Sequence, residues 1–252
     1  MQGDEAVGRA LALVRDLRAR CPWDGAQTRE TLRPYLVEEI LELDQAIRDA
    51  DAGELRDELG DVLLHLAFQI VIGEERREFD AESVTRALEE KMWRRHPHPF
   101  AGADRSDHDT WERTKRKEPG RRAGVLGGLP RTMPPLLGAF RLQERAAGVG
   151  FDWPNADGPL EKVREETVEL ERELGESGTP QRVREEIGDL LFAVVNLARK
   201  LGVEPGQALE QANEKFRNRF AAVEQLAAQR GIDVGEAGLE VLDRLWNEVK
   251  RT

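Results

Sequence analysis

The hydrophobic pattern of this chain is helical along its whole length. Apolar residues recur three and four positions apart, as on one face of a helix, and alternation of apolar with polar residues is nowhere sustained. We predict an all-α protein with helices at residues 5–19, 33–50, 54–73, 81–96, 108–117, 134–147, 158–174, 180–201, 205–230 and 238–250.

Two of the predicted helices are apolar nearly all round, and each follows a pair of acids. After Asp61 the sequence continues Val-Leu-Leu-His-Leu-Ala-Phe, and after Asp189 it continues Leu-Leu-Phe-Ala-Val-Val. Helices with this composition belong in the middle of a bundle. We therefore expect the paired acids to lie at the entrance of a buried element.

The acidic segments of the sequence occur twice. The segment EEILE begins at residue 38 and ELGD at residue 58, and they return as EETVE at residue 165 and EIGD at residue 186. Matching acids lie 127 residues apart, as from Glu39 to Glu166, or 128, as from Glu58 to Glu186. This register indicates two related units, each of which directs a group of carboxylates at one place.

The stretch from residue 119 to residue 135 is rich in glycine and proline, which interrupt helices. We predict a linker at 119–135, between a helical domain at 1–118 and a second helical domain at 136–252. The predicted fold class is thus two tandem all-α bundles.

Charge and composition exclude several classes of protein. The net charge of −11 and the isoelectric point near 5.1 argue against a nucleic-acid surface, which needs a basic patch. Cys21 is the single cysteine, so we expect no internal disulfide and a reducing cytoplasm. The first residues are too charged for a signal peptide, and no apolar stretch is long enough to span a bilayer.

The duplicated acids are the candidates for chemistry. On a helix the three glutamates of each leading segment share one face, and the two acids of each following segment lie one turn apart. Carboxylates packed together repel, so such a cluster persists only if protons or cations neutralise it. Mg²⁺ suits oxygen ligands of this kind. The alternative is a solvated acidic face, which the duplication disfavours.

Basic residues recur as well. Lys91 with Arg95, and Lys215 with Arg219, lie four residues apart and share a helical face where they could neutralise phosphate. Ordinary surface pairing with neighbouring glutamates is the equal alternative. Trp111 and Trp246 each precede a lysine by four residues, Lys115 and Lys250. These tryptophans could stack on a base, although core packing is the commoner role, and the lysines could simply be solvated.

Other chemistry is weakly supported. We expect His65 to be a hydrogen-bonded core residue rather than a metal ligand. Neither a GxxxxGK[ST] loop nor a GxGxxG loop is present, so a nucleotide would have to be held by metals and side chains.

These motifs in combination resemble the MazG nucleoside triphosphate pyrophosphohydrolases. The matching features are EExxE, ExxD, EKxxxR and WxxxK, together with Cys-Pro-Trp-Asp at 21–24, Arg-His-Pro-His at 95–98 and Gly-Phe-Asp-Trp at 150–153. The resemblance implies two all-α domains, a homodimer, and Mg²⁺-dependent conversion of nucleoside triphosphates to monophosphates and pyrophosphate, with Mn²⁺ as the alternative ion.

The resemblance also assigns residues. The implied metal ligands are Glu166, Glu169, Glu186 and Asp189 in the second half, and Glu39, Glu42, Glu58 and Asp61 in the first. The implied nucleotide contacts are Lys162 to Glu165, Lys215, Arg219, Trp246 and Lys250, and we add the matching basic pair Lys91 and Arg95. The family usually carries two adjacent arginines where this chain has Asn218 and Arg219. The second copy is implied to be the main active site.

The expected reaction is attack of water on the α-phosphorus of a ribo- or deoxynucleoside triphosphate. Glu165 or Glu38, the leading acid of each motif, would accept the proton of the water or bind the sugar, and the sequence leaves both roles open. A ferritin-like carboxylate protein needs Glu-x-x-His, which none of the four histidines provides. A helical module that senses nucleotides without cleaving them is the remaining alternative.

Overall fold

The structure, a computed structural model, describes residues 2–95, 124–175 and 178–250. Over these residues it contains helices and no strand, which confirms the predicted all-α class. The helices are α1 (Gln2–Arg20), α2 (Pro22–Ala26), α3 (Arg29–Asp49), α4 (Ala52–Glu75), α5 (Ala81–Arg95), α6 (Pro135–Ala147), α7 (Asp157–Glu173), α8 (Pro180–Lys200), α9 (Pro205–Gln229) and α10 (Gly238–Val249). The helix predicted at 108–117 lies outside the described residues.

The chain divides into two compact units, Met1–Ser106 and Asp107–Thr252. Each unit carries one copy of the acidic segments, as two tandem bundles require. The predicted linker at 119–135 begins within residues 96–123, which the structure does not describe, so the limits 1–118 and 136–252 stay a prediction.

The first unit is built around α4. Helices α1, α3 and α5 pack against it, and α2 packs against α1. The central position follows from the apolar sequence of α4, as predicted. The buried side chains of this core are Leu11, Val14, Leu32, Ala67, Phe68, Val71 and Ile72.

Local sequence fixes the hairpin of α3 and α4. The Thr28 hydroxyl accepts a hydrogen bond from the backbone N–H of Thr31, and the Thr31 hydroxyl accepts one from Thr28 N–H, which starts α3 four residues earlier than predicted. Ala50 then adopts a left-handed conformation with φ 55°, and the Asp51 carboxylate caps α4 by accepting from Gly53 and Glu54 N–H. The two helices therefore run side by side after a tight turn.

The second unit repeats this hairpin with α7 and α8. Helix α8 packs against α7 and α6, and α9 packs against α10 and α6. The Thr179 hydroxyl caps α8 by accepting from Arg182 N–H. A separate core is formed where α9 meets α10, with Val223, Ala227 and Leu245 buried.

Polar side chains tie the remaining segments to the helices. Arg145 of α6 is buried and donates to the carbonyl oxygens of Leu126 and Gly127. At the end of α8, Arg199 and Lys200 both pair with Asp152, which follows α6. Among the helices that the structure describes, none is long and apolar enough to cross a membrane.

Candidate functional site

The first acidic group is formed by the hairpin of α3 and α4. Glu39 comes from α3, and Glu58 and Asp61 come from successive turns of α4. One carboxylate oxygen of each lies within 4.8 Å of the others. Three of the four acids predicted as metal ligands in this unit are thus brought together.

The carboxylates of the first acidic group repel one another. Burial raises the pKa of Glu39, and the charges of Asp61, Glu42 and Glu38 raise it further. Burial also raises the pKa of Glu58, again with contributions from neighbouring carboxylates. The Oε2 atom of Glu58 is buried and has no hydrogen-bond partner within the described part of the chain. This group therefore favours a proton or a cation between its oxygens.

Glu42 and Glu38 lie on the same helix as Glu39 but outside the group of three. Both are exposed, and both act on Glu39 through their charge. Glu42 also raises the pKa of Glu58, so it lies near enough to add to the negative potential of the group.

The second acidic group has the same construction. Glu166 comes from α7, and Glu186 and Asp189 come from α8, with one carboxylate oxygen of each within 4.8 Å of the others. Burial raises the pKa of Glu186, followed by the charges of Glu169, Asp189 and Glu166. Glu169 therefore adds to the negative potential of the second group, as Glu42 does in the first.

A lysine is part of the second group. Lys162 Nζ lies 2.9 Å from an oxygen of Glu165 and 2.8 Å from an oxygen of Glu166, whose side chain is only 7% exposed. The hydrogen bonds that the Lys162 ammonium donates to Glu166 and then to Glu165 raise the pKa of Lys162 well above its ordinary value. Although only the resemblance assigned Lys162 a role, its positions three and four residues before these acids already predict the two ion pairs.

The other predicted contacts of the second unit lie on α9 and α10. Lys215 is exposed on α9, Arg219 is half-buried one turn later, and Lys250 is exposed at the end of α10. Trp246 packs into the core of α9 and α10, with its ring centroid 5.3 Å from that of Phe216. This contact is the core packing that the sequence allowed for Trp246.

In the first unit, Lys91 and Arg95 are half-buried on α5, which packs against α4. Trp111 and Lys115 lie outside the described residues. His65 is 7% exposed, and burial lowers its pKa although Asp61 acts in the opposite direction. Its Nδ1 has no hydrogen-bond partner among the described residues, so His65 is a core residue without the predicted bond at that atom.

Two convergent carboxylate groups on equivalent helical hairpins can each hold a hard cation. Their oxygens come from two helices, so the packing of each hairpin decides their separation. Oxygen-only groups of this type hold a divalent ion against the phosphates of a ligand.

Comparison with known sequences agrees with this geometry. The MazG nucleotide pyrophosphohydrolase domain matches residues 27–100 and 158–223, which contain both acidic groups. The chain is 42% identical over 231 residues to the nucleoside triphosphate pyrophosphohydrolase/pyrophosphatase MazG of Thermotoga maritima, covering 91% of this chain and 89% of that protein. It is 40% identical over 255 residues to the nucleoside triphosphate pyrophosphohydrolase of Escherichia coli K12, covering 97% of both chains.

A third relative matches this chain over only about half of its own length. The chain is 40% identical over 248 residues to the uncharacterised protein YabN of Bacillus subtilis, and this match covers 96% of the chain but 51% of that protein.

Proposed function

Because this chain belongs to the MazG nucleotide pyrophosphohydrolase family, and is thus a hydrolase of phosphoric anhydrides, we propose that it converts ribo- or deoxynucleoside triphosphates to monophosphates and pyrophosphate. The observation that carries this proposal is the pair of three-carboxylate groups inside the two matched segments. The full-length similarity to two relatives named for this activity supports it.

Mg²⁺ is the ion that these groups fit best, with Mn²⁺ as the alternative. The donors are all carboxylate oxygens, which suit hard cations, and neither group includes a cysteine or histidine among the described residues. The buried Oε2 atom of Glu58 also supports a cation, because it accepts no hydrogen bond from the described residues and a cation would supply the missing partner. When bound, Mg²⁺ offsets phosphate charge and polarises the phosphorus–oxygen bonds.

The proposed ligand sets add one neighbouring acid to each observed group. In the first unit they are Glu39, Glu42, Glu58 and Asp61, and in the second Glu166, Glu169, Glu186 and Asp189. The support for Glu42 and Glu169 is their charge on the neighbouring group members.

The remaining residues of the proposed site act on the substrate. Glu165 and Glu38 are the acids next to the groups, and each would accept the proton of the attacking water or hold the sugar. The phosphates would be neutralised by cationic side chains, and the base would lie against an aromatic ring. The residues proposed for these contacts are Lys162, Lys215, Arg219, Trp246 and Lys250, with Lys91 and Arg95 in the first unit.

We also propose that two copies of the chain pair. In each unit the central helix, α4 or α8, and the helix paired with it, α3 or α7, leave large apolar side chains about half-exposed. The exposed positions repeat between the units, and exposed apolar faces of this extent mark interaction surfaces. The matching pairs are Leu41 with Val168, Leu59 with Ile187, and Leu66 with Val194. A reducing cytoplasm remains the expected location, since Cys21 is the single cysteine.

Release of pyrophosphate tests the proposed reaction. The purified chain is incubated with ribo- and deoxynucleoside triphosphates and Mg²⁺, with and without EDTA, and both products are quantified. We expect a monophosphate and pyrophosphate in equal amounts, and no turnover in EDTA. Orthophosphate as the product, or nucleotide binding without any turnover, would contradict the proposal; the second result would favour a sensing module.

Variants locate the reaction. Replacing Glu186 by Gln and Asp189 by Asn should abolish turnover by the second unit, and Glu58 to Gln with Asp61 to Asn should do so in the first. A matched control is Arg230→Met, which removes a charge from an ion pair with Glu248 in the second unit. Full turnover with both groups disabled would place the chemistry elsewhere.

A further inference from the structure

A lysine side chain contacts the second acidic group, and the matching position beside the first acidic group holds no lysine. In the second unit the ammonium of Lys162 contacts Glu166, a member of the three-carboxylate group, at 2.8 Å. The position that matches Lys162, 127 residues earlier, is Tyr35, whose side chain is 46% exposed and carries no charge. The acids that would receive a cation there, Glu38 and Glu39, keep the same spacing of three and four residues.

Lys162 contacts two carboxylates at once. The ammonium bridges two carboxylates of the same helix, and one of them, Glu166, is buried. A single ammonium near a carboxylate group lowers the group's attraction for any second cation, because the two positive charges repel. Lys162 is partly exposed and has a long flexible stem, so it can leave Glu166 without unfolding α7.

We propose that Lys162 is a tethered counterion of the second acidic group, which competes with the divalent cation for Glu166 and is displaced when that cation binds. This inference rests on the proposed function, because it takes the three carboxylates as the ion's ligands. At the matching position of the first unit stands Tyr35, so this lysine has no equivalent there. The two units of one chain therefore differ in how their affinity for a divalent ion is set, although their acids match.

Binding of Mn²⁺, followed by the loss of the electron paramagnetic resonance signal of the free ion, tests the proposal without turnover. Each unit is measured alone in the full chain, with the other group disabled. The first group is disabled by Glu39→Gln, Glu58→Gln and Asp61→Asn, and the second by Glu166→Gln, Glu186→Gln and Asp189→Asn.

Two reciprocal substitutions give opposite expectations. In the chain whose second group is intact, Lys162→Met should tighten Mn²⁺ binding by about tenfold at low salt, and less at high salt where charges are screened. In the chain whose first group is intact, Tyr35→Lys should weaken it by a similar factor. Lys162→Arg retains the charge and should stay close to the parent. Arg230→Met, which breaks the ion pair of Arg230 with Glu248 in the second unit, should leave the affinity unchanged.

The outcomes separate this proposal from the proposed function. Unchanged or weaker Mn²⁺ binding in Lys162→Met would overturn the counterion role, and weaker binding would indicate that the lysine positions Glu166 instead. Absence of Mn²⁺ binding in both parent chains would overturn the metal assignment itself. Circular dichroism of every variant, recorded before the titration, separates a change in affinity from a loss of fold.

Discussion

Arg18 connects the first helices to the helix that carries Glu58 and Asp61. Its side chain is only 9% exposed, and it makes two hydrogen bonds to the carboxylate of Glu75, at 2.8 and 2.7 Å. It also donates to the carbonyl oxygens of Asp24 and Gln27, at 2.8 and 3.1 Å. The hydrogen bond and the charge of Glu75 raise the pKa of Arg18, with burial acting in the opposite direction.

Replacing Arg18 by Met keeps much of the volume and removes all four hydrogen bonds. Each of the two hydrogen bonds lost at the carbonyl groups of Asp24 and Gln27 costs about 1 kcal/mol. The pair with Glu75 adds about 1 kcal/mol rather than more, since the glutamate is 46% exposed and water screens it. We therefore expect the free energy of opening this region to fall by about 3 kcal/mol.

Hydrogen exchange followed by mass spectrometry resolves this change within the chain. Exchange through opening rises tenfold for each 1.4 kcal/mol, so peptides of α1 and α2 should exchange on the order of 100-fold faster in Arg18→Met. Peptides of α8, in the other unit, serve as the internal reference. The matched control is Arg20→Met, whose arginine pairs with Asp16 on the same helix but is 79% exposed.

The control should change exchange by less than about threefold, because exposed pairs contribute little. The reasoning would be refuted if the Arg18 and Arg20 variants exchanged alike, since burial and the two carbonyl contacts would then contribute nothing. It would equally be refuted if α8 lost protection together with α1 in the Arg18 variant, since the effect would not be local.

Three further outcomes are expected. Burial raises the pKa of Asp152, but hydrogen bonds from Arg199 and Lys200 outweigh burial and leave the pKa below its ordinary value. The ionised carboxylate therefore stabilises the fold above the pKa of the unfolded chain, and this stabilisation is lost as the pH falls through the folded-state pKa. Melting curves from pH 7 to pH 3 should show the Asp152→Asn variant less stable than the parent at neutral pH and equally stable in acid. Glu39→Gln should raise Tm in EDTA, because one repelling carboxylate is gone. It should also shrink the stabilisation on adding Mg²⁺, which in the parent should reach about 2.7 kcal/mol per site at 100 times Kd; an undiminished stabilisation would exclude Glu39 as a ligand. Glutamate at both Leu66 and Val194 should reduce the mass measured by light scattering from a dimer to 28.4 kDa, whereas a mass unchanged from the parent would place the interface elsewhere.

Most of the helical architecture could be predicted from periodicity, because nearly every described helix longer than ten residues carries a regular apolar face. The short helix α2 was missed, since five residues cannot show a period. Helix α3 starts four residues before the predicted residue 33, because the mutual cap of Thr28 and Thr31 does not show in the apolar periodicity.

The candidate site was predictable in its residue types but not in its grouping. Duplication of the acids indicated two sites, yet which acids meet depends on the rotation of α3 against α4. Glu39 faces Glu58 and Asp61, whereas Glu42 acts on the group from outside it. The packing of Trp246 on Phe216 also required the fold, because it joins residues on two helices. The metal ligands themselves stay a prediction until an ion is measured.

The connection between the paired helices differs between the two units. Helices α3 and α4 are joined by residues 50–51, whereas α7 and α8 are joined by 174–179. Helix α7 is also shorter beyond its acid, since Glu173 ends α7 seven positions after Glu166, while Asp49 ends α3 ten positions after Glu39. Insertions and deletions should thus be tolerated at this joint during divergence, but not between Glu166 and Glu173, where one added residue would rotate the acids by about 100°. The joint at 174–179 is accordingly the place to graft a peptide tag or an epitope without disturbing the chemistry.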